Sequence, residues 1–544
     1  MNGSSVDHHN KKVFVFAIVF IVATIAFFWQ LGKAPIGNSD EGIHALVTRQ
    51  MREDGNWLTM RFQDELYFRK PPLSFWIRAV TQNVFGENEF TDRLPSALAG
   101  VGTTMLVAFW AWRWTKRTSV TLIAGMIYPL LPSTFIHTFR TGEADGLLIF
   151  LTTLSALLFW LSLKKPWYLV GAALTTALAF MTKSVAAGVV PIAFLLTLLV
   201  LRKWPYRWKH VVVSVVVFLA VALPWHIYEL AKYGKSFWDE YVGFHIIQRV
   251  ETKLHVTPQQ HDMWWYLRDV SQAMFPWSFL IIPASAFALF RLRRRDEQDP
   301  APATFLLLWG FGTVVLFSLA ATKLAWYVAP AFPAFVLLVA RFIVDPLSRL
   351  PRWLQGLTAI SAIGYFYDSF HQYRTGISRI MTLAFLNPNV ALALVVAVAL
   401  AILFFAYRRS RSIGDRTLNL MTTTLFVLIA LMSVVVYSRY IRKDAESPLR
   451  VFRNEIVTRD SKADVYIFDN GIYPSPLTSI YLVGQHRERA VVALKENEAS
   501  LQEIISVKTG AFVVFERQRG FAGDTADRLE HIKDSASLSL YRIR

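Results

Sequence analysis

Charged side chains in this 544-residue chain gather beside long apolar segments rather than inside them. Carboxylates and cations occur there in adjacent or near-adjacent pairs: Asp40 and Glu41, Arg69 and Lys70, Glu143 and Asp145. Carboxylates can orient or deprotonate an acceptor, whereas Lys and Arg stabilise a departing phosphate. Charge beside hydrocarbon persists only where it is paired or used, so these groups are candidate functional residues.

Each pair also has a plainer interpretation. Asp40 and Glu41 could cap a following helix, whose N-terminal end attracts negative charge. Arg69 and Lys70 could anchor the chain to lipid headgroups. The Trp264-Trp265-Tyr266 stretch is more typical of an interfacial belt than of a binding platform. These alternatives stay open on the residues alone.

The composition indicates that much of the chain lies in a lipid bilayer. Hydrophobic residues make up 54% of the chain and charged residues 18%. Val13–Trp29, Val211–Leu223 and Val390–Phe405 contain no charged residue. With their flanks, such runs can cross about 30 Å of hydrocarbon as helices. The composition therefore predicts a polytopic membrane protein and excludes disorder or a small disulfide scaffold.

The net charge and the sequence motifs exclude several classes of reaction and partner. The net charge of +18 is explained by basic cytoplasmic loops, so no nucleic-acid partner is predicted. The chain has no cysteine, which excludes disulfides and thiolate metal sites. It lacks Walker, GxGxxG and Gly-x-Ser-x-Gly motifs. A reaction outside the membrane would then need a donor that carries its own activation, such as a lipid-linked phosphate.

The apolar segments predict about thirteen transmembrane helices. They lie near 13–32, 94–112, 118–136, 146–163, 167–181, 186–201, 210–229, 272–292, 303–320, 327–343, 353–370, 389–407 and 418–437. Lys11 and Lys12 place the N-terminus in the cytoplasm, and every strongly basic cluster beside a span then falls on that side. Residues 1–437 are thus predicted to form a transmembrane unit with outer loops 33–93 and 230–268.

Two polar regions are expected to fold outside the hydrocarbon. The first outer loop contains two amphipathic segments, Glu41–Asp54 and Pro72–Phe85, which are predicted to lie on the membrane surface. Residues 438–544 are predicted to form a small periplasmic α/β domain with strands near Asp464–Phe468, Ala490–Ala493 and Gly510–Phe515. The fold class is therefore an all-α polytopic protein with a small C-terminal α/β domain.

The predicted outer face gathers a larger set of ionisable groups from many loops. Besides the three pairs it holds Arg140, Lys183, His245, Arg249, His255, His261, Asp262, Lys323 and Tyr327. His255 and His261 are candidate metal ligands, although the histidines lack a compact ligand pattern. A divalent ion is left open as a cofactor, and no other cofactor is expected.

Several motifs resemble the polyprenyl-phosphate-dependent GT-C glycosyltransferases, which include the lipid A aminoarabinose transferases and protein O-mannosyltransferases. Asn38-Ser-Asp-Glu41 resembles their "D-E" loop, and Tyr67-Phe-Arg-Lys-Pro-Pro-Leu73 is similar to their Tyr-Phe-Glu-Lys-Pro-Pro-Leu. Met181-Thr-Lys-Ser184 resembles a Thr-Lys-Gly turn, and Pro224-Trp225 and Phe275-Pro-Trp277 resemble Pro-Trp positions. Thr322-Lys-Leu-Ala-Trp-Tyr327 resembles Ser-Lys-Leu-Pro-x-Tyr. The pieces cover roughly the first 345 residues.

The resemblance implies roles for the candidate residues. Asp40 would be the acid at the reaction centre with Glu41 beside it, and Asp145 a second functional acid, with Glu143 close to it. Lys70 would contact the donor phosphate, helped by Lys183 or Lys323; Arg69 and Tyr327 complete the candidate phosphate site. Arg69 stands where the family usually has Glu, and Ile43-His44 where the aminoarabinose branch has Arg-Tyr.

These observations predict an enzyme of the bacterial inner membrane. It would transfer a sugar from an undecaprenyl-phosphate donor to a periplasmic acceptor, either lipid A or another envelope glycolipid. Membrane lipids are the other expected partners. The alternatives are a protein O-glycosyltransferase and a transporter or flippase of polyprenyl-linked sugars. A transporter usually carries internal repeats and polar residues at mid-membrane.

Overall fold

A computed structural model shows a helical bundle joined to a mixed β-sheet. It describes residues 3–33, 36, 40–62, 65–135, 137–248, 264–275, 277–345, 350–374, 448–460, 463–469, 491–495, 504–516, 527–535 and 538–544. The predicted spans 389–407 and 418–437, and the proposed domain boundary at 437, lie outside these residues.

The helices follow the apolar segments of the sequence. They are α1 (Gly3–Phe28), α2 (Asp40–Glu53), α3 (Leu73–Phe85), α4 (Glu89–Thr115), α5 (Thr118–Ile127), α6 (Ala144–Ser162), α7 (Tyr168–Lys183), α8 (Val189–Leu201), α9 (Trp208–Tyr233), α10 (Lys235–Phe237), α11 (Trp265–Ala273), α12 (Ile281–Arg293), α13 (Ala301–Leu319), α14 (Phe332–Val344), α15 (Arg352–Arg374) and α16 (Pro448–Arg459). A π-helix, Trp238–Gln248, follows α10, and 3₁₀ turns cover Tyr128–Leu130, Pro132–Thr134, Ser184–Gly188, Trp277–Leu280 and Ala325–Ala331.

Within the described residues, seven helical stretches are long and apolar enough to cross a membrane. An eighth is possible if Trp265–Ala273 and Trp277–Arg293 together form one span. Those two helices meet at 115°, and the span predicted near 272–292 corresponds mainly to the second of them, Trp277–Arg293. Pro276 occupies the break, and proline cannot donate the backbone hydrogen bond that a continuous helix needs.

The apolar stretch Tyr168–Leu201 contains two helices that run in opposite directions. α7 ends at Lys183, and the following Ser184 has φ +48°, a left-handed conformation that breaks the helix. At the far end, the Ser162 hydroxyl at the end of α6 lies 2.5 Å from that of Tyr206, just beyond α8. α7 therefore begins, and α8 ends, at the same face of the bundle. Two separate spans, predicted at 167–181 and 186–201, require this arrangement.

The basic segments meet at one end of the bundle. Arg117 binds Asp345 at 2.9 Å, and Glu297 accepts from both Arg291 and Arg341. These residues join the ends of α4, α12 and α14, at the opposite end from Lys183. The structure therefore separates a basic face from the face that carries the candidate site.

Both predicted amphipathic segments form helices between α1 and α4. α2 spans Asp40–Glu53 and α3 spans Leu73–Phe85, joined through the short strands β1 (Arg61–Phe62) and β2 (Glu65–Leu66). Asn88 caps α4 by accepting from the backbone N–H groups of Phe90 and Thr91, each at 3.0 Å. This cap fixes where α4 begins.

The C-terminal region forms a five-stranded sheet in the order β4-β3-β5-β7-β6. Its strands are β3 (Val465–Asp469), β4 (Val491–Lys495), β5 (Phe512–Glu516), β6 (Leu529–Ser535) and β7 (Leu538–Ile543). β3 is parallel to β4 and β5, whereas β7 is antiparallel to β5 and β6. Three strands lie close to the predicted positions; β6, β7 and α16 are additional elements.

The sheet is not separate from the helical part. Phe452 and Ile456 of α16 join Phe512 and Leu540 of the sheet in one hydrophobic cluster. Ile36 and Ala45 belong to the same cluster. The helix that begins at Asp40 therefore rests on the C-terminal sheet.

Candidate active site

Lys70 is the centre of the first group of site residues. Its ammonium donates to Asp40 Oδ2 at 2.7 Å and to His44 Nε2 at 2.8 Å. Asp40 opens α2 and His44 lies one turn later on the same helix, so both face the loop that carries Lys70. The Lys70 side chain is 12% exposed and that of Asp40 44%. We call these three residues the Lys70 group.

The charges in the Lys70 group stabilise one another. The nearby Lys70 ammonium holds the pKa of Asp40 well below its usual range. Burial would lower the pKa of Lys70, but the surrounding negative groups, Asp40 first, outweigh burial and raise it. Burial and the Lys70 charge lower the pKa of His44, so its imidazole is neutral and accepts a hydrogen bond from the Lys70 ammonium. The group therefore presents a permanently charged ammonium.

A second lysine is held in the same way by the next helices. Lys183, in the last turn of α7, donates to Asp145 Oδ1 in the first turn of α6 at 2.6 Å. The Lys183 ammonium also lies 5.1 Å from the centroid of the Tyr327 ring, within range of a cation–π interaction. Asp145, Lys183 and Tyr327 form the Lys183 group. The Lys183 charge also lowers the pKa of Asp40, so the two groups face each other.

Glu41 occupies a different environment from its neighbour Asp40. Its carboxylate is buried and accepts from Arg93 Nε at 2.7 Å and from Arg93 Nη2 at 3.1 Å. The backbone N–H of Gly142 donates to the same carboxylate at 2.7 Å. This arrangement, the Arg93 clamp, joins α2, α4 and the loop before α6. Its ion pair is bidentate and fixes geometry as well as charge.

The loop before α6 is held by further buried charges. A Cβ at Gly142 would lie 2.3 Å from Asp92 Oδ2, which explains why no larger residue fits there. Arg140 donates to the carbonyls of Ala26 and Trp29 at 2.8 and 2.7 Å. Arg140, predicted on the outer face, thereby ties this loop to the end of α1.

The remaining predicted residues lie around the two lysine groups and have other partners of their own. Arg69 lies 3.6 Å from Glu240 of the π-helix and over the Tyr67 ring. Lys323 is buried and donates to the Ala320 carbonyl at 2.6 Å. Glu143 accepts from, or donates to, His137 Nδ1 at 2.9 Å, depending on the proton position. The metal candidates His255 and His261 lie outside the described residues, and within those residues no three His, Cys, Asp or Glu side chains are arranged to hold a metal ion.

Three site residues are not among those predicted from the sequence as functional: His44, Arg93 and His137. His44 departs from the family pattern, and this departure is the signal in the sequence that could have identified it. Arg93 was recognisable as a cation at the entrance of a span. His137 precedes the polar Thr138–Asp145 segment, but nothing in the sequence indicates that it folds back on Glu143.

Comparisons with known proteins agree with this arrangement. Residues 69–228 match the family model for dolichyl-phosphate-mannose-protein mannosyltransferase. An uncharacterized protein from Aquifex aeolicus is 27% identical over 363 residues, which cover 65% of this chain and 70% of that protein. An undecaprenyl phosphate-alpha-4-amino-4-deoxy-L-arabinose arabinosyl transferase from Enterobacter is 26% identical over 62% of this chain and 61% of its own length.

The fold has a close counterpart among solved structures. ArnT from Cupriavidus metallidurans, solved bound to undecaprenyl phosphate, superposes with a TM-score of 0.72 at 18% identity, covering 97% of each chain. The described part of the chain therefore has the GT-C fold of that structure. The match of residues 69–228 to the mannosyltransferase model is a likeness over part of the chain. The predicted resemblance and the predicted helical membrane fold are thereby confirmed, and the named relatives are glycosyltransferases, as the predicted enzyme class requires. The count of thirteen spans stays a prediction.

Proposed function

We propose that this protein transfers a sugar from an undecaprenyl-phosphate donor to an acceptor at the face that carries the Lys70 and Lys183 groups. The observation that carries the proposal is the Lys70 ammonium, held between Asp40 and His44. An ammonium has three N–H donors, and these two partners take two of them. The third is available to a phosphate oxygen.

The reaction requires positive charge where the leaving group departs. When the bond between the anomeric carbon and the phosphate oxygen breaks, the polyprenyl phosphate gains a negative charge. A prepositioned ammonium stabilises that charge without reorganising. Lys70 would receive the phosphate, and Lys183 would lie beside it with Tyr327. Displacement by the acceptor from the opposite side inverts the anomeric centre.

The carboxylates have distinct proposed roles. Asp40 is partly exposed and orients Lys70 at the reaction centre, while Asp145 does the same for Lys183. Glu41 is a positioning residue, because Arg93 and Gly142 occupy its carboxylate. Arg69 and Lys323 would act at the rim of the phosphate site at most, since Glu240 and the Ala320 carbonyl bind them.

The expected setting is the bacterial inner membrane. The basic face would be cytoplasmic and the site periplasmic, with the N-terminus in the cytoplasm. The relatives with an arabinosyl transferase name support lipid A or a similar envelope glycolipid as the acceptor. A divalent metal remains a proposal without described ligands.

The position of the charges argues against a transporter. Asp145 lies in the first turn of α6 and Lys183 in the last turn of α7. Transporters place their polar sites near the middle of discontinuous helices, where they can be reached from either side. Charges at helix ends favour an enzyme that opens to one face.

A label-transfer assay tests the proposed function. Membranes containing the protein are incubated with radiolabelled undecaprenyl-phosphate sugar and an envelope lipid extract. We expect label to enter the lipid fraction, and Asp40→Asn to abolish this transfer at normal expression, because Lys70 loses its charged partner. Asp299→Asn, at the opposite end of the bundle beside Lys164, is the matched control. No transfer by the wild-type protein would overturn the proposal.

A further inference from the structure

His137 and Glu143 form a carboxylate–imidazole pair at the mouth of the site. His137 Nδ1 lies 2.9 Å from Glu143 Oε1. The Glu143 side chain is 1% exposed, whereas that of His137 is 31% exposed. A carboxylate behind Nδ1 fixes the ring and directs the Nε2 lone pair away from the protein interior. Among the described residues, no hydrogen-bond partner is seen for Nε2.

The His137 ring is held in a definite orientation. It stacks on Trp326, with ring centroids 4.1 Å apart and an interplanar angle of 26°. Its backbone has φ +55°, a conformation that an L-residue adopts only at a cost. Strain of this kind persists where the surroundings over-determine the geometry. The imidazole is therefore a preorganised group beside Tyr327 and the Lys183 group.

The neighbouring carboxylates are poor candidates for accepting a proton. Asp40 and Asp145 are each bound to a lysine at 2.7 and 2.6 Å. Each carboxylate thus already holds an ammonium, and for Asp40 the Lys70 charge also lowers the pKa, which makes it a weak base. Glu41 is enclosed by the Arg93 clamp. An imidazole that is hydrogen-bonded to a carboxylate is a stronger base near neutral pH than these carboxylates.

We propose that His137 is a catalytic residue that removes the proton from an acceptor hydroxyl, with Glu143 orienting its ring, so that the acceptor group is a sugar hydroxyl rather than a phosphate. The inference rests on the proposed function and adds the acceptor class to it. A phosphate oxygen is already ionised and needs no base, so an imidazole built into the site would have no task with it. The half-exposed face of Trp326 beside His137 offers an apolar surface for the acceptor ring.

The bonds of the step balance without another reactant. The acceptor oxygen forms a bond to the anomeric carbon while the bond from that carbon to the phosphate oxygen breaks. The acceptor proton moves to His137 Nε2. The bonding electron pair leaves with the polyprenyl phosphate, whose new charge faces Lys70. His137 then releases its proton to water.

The charged groups around His137 set the pH at which it works. Burial lowers its pKa, but the Glu143 hydrogen bond and the charges of Glu143, Asp145 and Asp40 outweigh burial and raise the pKa of His137 above its ordinary value. Lys183 and Lys70 balance Asp145 and Asp40, and Lys323 directs its ammonium to a backbone carbonyl. Since the base must be neutral, turnover falls as the pH drops through this raised value. The acidic limb of the rate profile should therefore lie at higher pH than the pKa of an ordinary imidazole.

Three variants in the label-transfer assay test the role. His137→Gln should reduce turnover about 100-fold or more, the usual contribution of a general base. Glu143→Gln should reduce it less and move the acidic limb to lower pH, because the group that raises the pKa of His137 is removed. Added imidazole should partly restore the turnover of His137→Ala, a result that a merely structural role of His137 would not give. His531→Gln, in an exposed His–Asp pair of the C-terminal sheet, is the matched control.

Mild acid treatment of the labelled product tests the acceptor class. A sugar on a phosphate is released by mild acid, whereas a sugar on a hydroxyl survives. We expect an acid-stable product. An acid-labile product, or transfer by His137→Gln within threefold of wild type, would overturn this inference and leave the proposed function standing. Absence of transfer by the wild-type protein would instead overturn both.

Discussion

Lys70 allows the sharpest test of the phosphate site. In Lys70→Ala the ammonium is lost, but Asp40 is 44% exposed and stays hydrated, so the variant should fold normally. Losing one preorganised charged contact costs about 2–4 kcal/mol of transition-state stabilisation. At 1.36 kcal/mol per factor of ten, turnover should fall about 30- to 900-fold. The assay is initial-rate label transfer at saturating acceptor.

Lys70→Arg separates a phosphate role from a lipid anchor. Asp40 Oδ2 and His44 Nε2 both lie within 2.8 Å of a single nitrogen, which a planar guanidinium cannot reproduce. We therefore expect only partial activity, whereas a headgroup anchor would tolerate Arg fully. Lys164→Ala is the matched control, because Lys164 pairs with Asp299 at the opposite end of the bundle. Lys70→Ala activity within twofold of wild type would refute the reasoning.

Two further predictions concern stability and orientation. Glu41→Gln leaves the buried Arg93 guanidinium without its charge partner, so the free energy of unfolding should fall by about 3–5 kcal/mol; an unchanged thermal midpoint in detergent would contradict the clamp. Val507→Cys and Arg294→Cys report orientation, because the chain has no other cysteine. An impermeant thiol reagent added outside spheroplasts should label Val507→Cys and spare Arg294→Cys; the reverse pattern would invert the topology.

Local sequence patterns predicted the elements well where one physical signal dominates. The amphipathic segments of the first outer loop became α2 and α3, because their apolar spacing matches a helical face. The 115° bend between Trp265–Ala273 and Trp277–Arg293 has no signal in the hydropathy pattern, which reports apolar length and not direction. β6 was missed because its residues, Leu-Glu-His-Ile-Lys-Asp-Ser, alternate too irregularly, with a bulge between His531 and Lys533.

The ion-pair partners of the candidate residues could not be predicted from the sequence. Asp40 and Glu41 are adjacent in sequence, yet one pairs with Lys70 at the mouth and the other with Arg93 in the interior. Neighbouring helical residues point about 100° apart, so they meet different elements. The residue types indicated that charged groups form the site. Which carboxylate pairs with which cation depends on packing between segments that are distant in sequence.

The cluster that joins α2 to the C-terminal sheet has a consequence for synthesis. Ile36 and Ala45 leave the ribosome about 500 residues before Leu540, which shares their hydrophobic cluster. At about 5–20 residues per second, the helix that begins at Asp40 waits on the order of 25–100 s for its covering strand. A chain cut before β7 would lack this contact, so the helix that carries Asp40 and His44 would lose its support from the sheet.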